Sequence, residues 1–150
     1  MSAAADPVAE RLRTWAKGMY NVEAATEMLL RAFNGRFASR GNPWIEGDAT
    51  DCWVDFAVIP DHIGALSGGE QRYLMIAASL GAANTPVDLS YSASGLDRGL
   101  TALVLAAISH ASGSHSHAEF LPTELEDGTM TINLESPRIE LGPLFPWPET

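Results

Sequence analysis

Seven apolar residues, Leu96, Leu100, Leu103, Val104, Ala107, Ile108 and Ala111, follow one another at steps of 4, 3, 1, 3, 1 and 3. Residues three and four apart share one face of a helix, whereas neighbours in a strand alternate between faces, so this pattern fits a helix and no strand. It predicts a helix over about 95–112, stopped by Gly113 and more buried than any other element. One long apolar stripe must then find its cover elsewhere in the chain. With 150 residues, 46% of them hydrophobic, a single domain over 1–150 suffices to bury it.

The flanking sequence supplies that cover. Asp6-Pro7 opens a helix with an N-cap acceptor and a proline at the first helical position. Val8, Leu12, Trp15, Ala16 and Met19 share its apolar face, and Gly18 ends it. Asn21 is the expected cap of a second helix, which turns Ala25, Met28, Leu29, Ala32 and Phe33 inward and stops at Asn34-Gly35. Residues 36–51 read as a loop held down by Trp44 and Ile45. Residues 52–58 alternate, with Cys52, Val54, Phe56 and Val58 on one face, and predict a strand ended by Pro60. A helix over 70–80 is followed by a linker over 82–93. Asp127-Gly128 between two alternating runs predicts a hairpin over 123–134, and residues 138–141 a third strand. Residues 142–150 form an extended tail rich in proline and aromatic residues, expected to lie on the domain's own core. The expected fold is α+β: about four helices on a small antiparallel sheet that combines the strand near 52–58 with the C-terminal hairpin or meander.

The net charge of −10 is unevenly spread. Residues 1–40 hold Arg11, Arg13, Lys17, Arg31, Arg36 and Arg40 against four acids, while the remainder holds fifteen acids and three arginines. An acidic protein repels nucleic-acid phosphates, so a protein partner or a second copy of the chain is expected instead. No apolar run is long enough to span a bilayer, and residues 1–7 lack the pattern of a signal peptide. Cys52, the only cysteine, alternates with core residues and reads as a buried, inert thiol. Together these features predict a cytoplasmic protein without a membrane partner.

Two openings look like nucleotide chemistry. Leu66-Ser67-Gly68-Gly69-Glu70-Gln71-Arg72 resembles the signature motif of ABC-type ATPases, and Ser94-Gly95-Leu96-Asp97 resembles that family's D-loop in spacing. The resemblance implies that Ser67, Gly68 and Gly69 present a helix N-terminus to phosphate. The rest of that machinery is missing: the sole lysine, Lys17, lies outside any GxxxxGK[ST] motif, and Ser90-Tyr91 stand where the catalytic Asp-Glu pair would be. A local reading covers both openings, since Ser67-x-x-Glu70 is a capping box and Ser94-x-x-Asp97 its shorter counterpart. The central stretch as a whole is similar to a family of small hypothetical proteins of high-GC Gram-positive bacteria or their phages. It shares the Ser67-Gly68-Gly69 helix and a Gly95-Leu96-Asp97-Arg98 helix that ends in Ala111-Ser112-Gly113-Ser114-His115. No activity attaches to that family, so this resemblance implies none.

His110, His115, His117 and Glu119 form the remaining cluster, with the last three expected on one face of an extended segment. Histidines and a carboxylate suit zinc with open positions, which would make a metal-dependent hydrolase. His62 joins such a set only if the fold brings it close. The opposing readings are a histidine set against a helix dipole and an exposed Ser-His-Ser-His loop. No GxSxG elbow presents a nucleophile. Without a complete catalytic constellation or cofactor motif, the sequence reads as a non-enzymatic interaction or regulatory module, with self-association as one form of it.

Overall fold

The structure, a computed structural model, describes residues 7–133 and 135–149. The expected Asp6 cap and the frayed start at 1–5 lie outside those residues. Four α-helices of ten or more residues carry the fold: α1 (Pro7–Ala16), α2 (Tyr20–Arg31), α3 (Gly68–Gly81) and α5 (Arg98–Ala111). A short α4 (Leu89–Ser94) interrupts the expected linker, capped by Asp88, whose side chain accepts from the Tyr91 N–H. The fold is α+β, with small antiparallel strand pairs beside the helices. Among the described residues no helix is long and apolar enough to cross a membrane.

The central element is α2 rather than α5. Val22, Ala24, Ala25, Thr26, Met28 and Leu29 of α2 are all buried, because α3 packs on one side of it and α5 on the other. Ile108 of the α5 stripe stays half exposed, at 50%, and so does Leu105 beside the stripe, at 46%. The apolar stripe of α5 is wider than the contact α2 offers, so the 4, 3, 1 spacing located the helix but overstated its burial. Polar side chains finish the helix ends at the centre. The buried Tyr73 hydroxyl donates to the Met28 carbonyl at 2.7 Å, beside the Ala32 N–H that the same carbonyl accepts at 3.3 Å. Asn21 does not cap α2, whose N-cap is Met19 without a side-chain bond. Its amide donates across to the Leu80 carbonyl at the end of α3.

Strand expectations needed most correction. The strand begun at Cys52 is only β2 (Cys52–Val54), and it pairs with β1 (Ile45–Gly47) inside the expected loop. The Trp44 and Ile45 anchors are buried as expected, and the Trp44 indole N–H donates to the Phe37 carbonyl at 2.7 Å. After Val54 the chain tightens into a 3-10 helix (Phe56–Asp61), in which Phe56 and Ile59, three apart, both face the core. Alternation had placed Val58 inside with Phe56, whereas the period of three buries Ile59 and leaves Val58 half-buried. Gly81 is required by packing: a Cβ there would run into the Phe56 ring.

The C-terminal strands do not join β2 in one sheet. Residues 118–141 form an arm of two nested pairs: β3 (Ala118–Phe120) with β6 (Arg138–Glu140), and within it β4 (Thr123–Glu124) with β5 (Met130–Thr131). Asp127-Gly128 makes the turn as expected, with Gly128 at φ 84°. Leu134 of the expected hairpin lies outside the described residues.

Candidate functional site

The histidine cluster is divided by the fold. His110 sits in the last turn of α5, and residues Ser114–Ser116 form a 3-10 turn that returns His115 beside it. The two imidazoles stack, with centroids 4.1 Å apart and planes 7° from parallel, and the Tyr20 ring meets both edge-on. His117 caps that turn with its side chain exposed, and Glu119 is exposed on β3 opposite Ile139. Residues 115, 117 and 119 therefore do not share an extended face, because the 3-10 turn rotates His115 away. His62 is exposed after the 3-10 helix at Phe56–Asp61. Among the described residues no group of three or more His, Cys, Asp or Glu side chains is placed to hold a metal ion.

What meets the histidine pair is Glu23 of α2, which the spacing arguments missed. Its Oε1 lies 2.7 Å from His110 Nε2, and its Oε2 accepts the Gly18 N–H at 2.8 Å. Burial pushes the Glu23 carboxyl up, but the Gly18 N–H and His110 outweigh it and hold the group below its ordinary 4.5. Burial pushes His115 down from 6.5, reinforced by the charge of His110 and opposed by Glu23. Glu23 lies in the first turn of α2, and eighty-seven residues separate it from its partner.

Beside this pair lies a cavity of about 270 Å³ between α1, α2, the end of α5 and the tail. Glu27 on its wall receives Arg13 Nε and Arg31 Nε, each at 2.7 Å. Burial raises the Glu27 carboxyl, and the two arginines more than reverse that. The tail closes the cavity with Trp147. It is fastened to the side chains of the buried Ser109 and Ser114: the Phe145 N–H donates to Ser109 Oγ at 2.9 Å and the Leu144 N–H to Ser114 Oγ at 3.2 Å. The Arg31 guanidinium lies over the Trp147 ring at 4.9 Å, and an Arg31 nitrogen donates to the Pro148 carbonyl. The tail thus covers its own domain, as its composition suggested.

At the other candidate site, Ser67 Oγ accepts from the Glu70 N–H at 3.3 Å and the Glu70 carboxylate accepts from the Ser67 N–H at 3.1 Å. The capping box is complete, and Arg36 pairs with the same carboxylate at 2.9 Å. A helix N-terminus that already holds its own carboxylate meets a phosphate with negative charge in the way. Gly68 and Gly69 each face open space, so packing does not require them. The cap of α5 is Asp97, whose side chain accepts from the Leu100 N–H at 2.8 Å. Ser94 ends α4 and bonds back to the Tyr91 carbonyl, so the expected Ser94 box does not form. Gly95 has a packing reason: Arg72, lying over the Tyr91 ring at 4.3 Å, occupies the space its side chain would need. Cys52 is buried, which raises its thiol above the ordinary range.

The third candidate is a surface. Every described residue over 119–132 except Thr131 is exposed. Phe120, Leu121, Leu125, Met130, Ile132, Ile139 and Leu141 of the arm are each between 41% and 60% exposed. Six acids and one arginine accompany them. No protein-family model matches the chain, and neither the curated proteins nor the solved structures contain a significant match.

Proposed function

We propose that this protein is a non-enzymatic interaction module whose docking element is the arm at residues 118–141. The observation that carries the reading is the arm's exposure of seven large apolar side chains on two-stranded ribbons without a buried face. An isolated two-stranded ribbon is marginal in water, and an apolar surface on this scale gains by being covered. The occupant is a second copy of the chain. The arm is acidic and apolar, while residues 1–40 concentrate six of the nine basic side chains on the opposite part of the sequence. Such a pairing is steered by charge and held by apolar burial.

Sedimentation velocity across micromolar concentrations tests this. The expected result is a concentration-dependent dimer, weakened by added salt and reduced to monomer by the double substitution Ile139→Ser with Leu141→Ser. A monomer at every concentration, or a dimer indifferent to that pair of substitutions, refutes the reading. Circular dichroism of the variant guards against simple unfolding, since both side chains are already exposed.

A further inference from the structure

We propose that the cavity closed by Trp147 binds a small carboxylic acid with an apolar body. This site is separate from the arm and stands whether or not the arm docks. The chemistry follows from which wall groups are already satisfied. Both carboxylates in the wall have partners: Glu23 holds the Gly18 N–H and His110, and Glu27 holds Arg13 and Arg31. Every carboxylate oxygen in the wall is thus already engaged by a donor of this chain, which weakens the case for a cationic ligand, and Arg31 already occupies one face of the indole.

The unused groups point the other way. Lys17 lines the cavity and has no ion pair among the described residues. Thr26, 1% exposed, also lines it, and its hydroxyl has no hydrogen-bond partner. A buried hydroxyl without a partner is costly, and a ligand acceptor is one way to relieve it. Three cationic side chains against two carboxylates leave this wall positive within a chain of net charge −10. The remaining wall is apolar, made of Ala16, the Trp147 ring and the carbon stems of the arginines. A cavity of about 270 Å³ lies just below the usual range for small-molecule sites, which suits one ring or a short chain bearing one carboxylate. The carboxylate sits at Lys17, and the apolar body lies along Trp147.

Titration of the ¹⁵N-labelled full chain with phenylacetate, indole-3-acetate and hexanoate, followed by amide shifts, tests the assignment. Phenylacetamide and phenethylammonium serve as neutral and cationic controls. The expected outcome is saturable shifts of α1, α2 and tail amides by at least one acid, at a Kd of about 1 mM or tighter. Lys17→Met, at an exposed position, should keep the spectrum of the folded protein and weaken the acid about tenfold, the loss of one charge-assisted hydrogen bond. Absence of saturable shifts from all three acids at about 10 mM overturns the proposal, as does equal binding of either control or unchanged affinity in Lys17→Met.

Discussion

Met28 and Leu29 on α2 are buried to within 1% of their surface, whereas Met130 and Leu125 on the arm are 60% and 45% exposed. The residue types are the same, and the difference lies in the backbone. A helix closes its own hydrogen bonds, so α2 can spend two faces on neighbours and take α3 on one and α5 on the other. The ribbons β3–β6 and β4–β5 also satisfy their ladder bonds, but each stops at two strands. Large apolar residues there stay 41% to 60% exposed. The helical body buries its apolar residues and the arm leaves them about half exposed, and their responses to mutation should diverge accordingly.

The largest expected effect is in the body. Trp44→Ala removes a side chain 2% exposed and leaves the Phe37 carbonyl without its donor. It should cost about 3–5 kcal/mol by urea unfolding, from the lost packing and the orphaned acceptor together. A loss below about 1 kcal/mol would place the loop anchor outside the cooperative unit and blur the contrast with the arm.

Acid comes next, and it probes the seam where α2, α5 and the tail meet. Glu23 titrates below its ordinary 4.5, so its contribution is present above that value and lost as pH falls through the lowered one. His115 titrates below its ordinary 6.5, so the fold favours its neutral form. That contribution is complete above 6.5 and disappears as pH falls through the lowered value. Both signs agree: stability at this seam declines from pH 6.5 downward. The groups facing His115 are His110, Glu23 and His117, and protonation adds like charge between imidazoles whose centroids are 4.1 Å apart. Glu23→Gln should shift the acid midpoint measured by Trp fluorescence, while an exposed control such as Glu124→Gln on the arm should leave it in place.

A smaller effect separates two readings of one stretch. The sequence offered Ser94 as the cap of the helix carrying the 4, 3, 1 pattern, and the structure gives the position to Asp97. Asp97→Ala should cost about 1 kcal/mol in thermal or urea unfolding, and Ser94→Ala only a few tenths, since its hydroxyl bonds within α4. Equal losses would restore the earlier start of the helix.

Much of the body was legible because its signals are local. Residues three and four apart, a capping box at Ser67 and a left-handed stop at Asn34-Gly35 all act within one or two turns. The Asp127-Gly128 turn is equally local. What failed was pairing and register. β2 takes a partner seven residues upstream instead of the C-terminal ribbon, and the alternation begun at Cys52 gives way after Val54 to a 3-10 period that buries Ile59 in place of Val58. Glu23, His110 and Trp147 meet only because α2, α5 and the tail converge, and no spacing along the chain encodes that. The histidine cluster was visible as composition, but a single 3-10 turn decided which two of its members stack.

The smallest effect is the one that tests the arm's side of the contrast. Ile132 is 60% exposed between β5 and the turn preceding β6. In dilute solution, where self-association is absent, Ile132→Ala removes no buried contact and should change unfolding stability by no more than about 0.5 kcal/mol. The same substitution at a buried isoleucine, Ile59→Ala, should cost about 2–5 kcal/mol. At concentrations where copies associate, the two positions should still differ, since Ile132→Ala would lower the association constant while Ile59→Ala acts through the fold. A large stability loss from Ile132→Ala in the monomer would mean that the arm packs on its own body in solution, and would leave little apolar surface for a partner to cover.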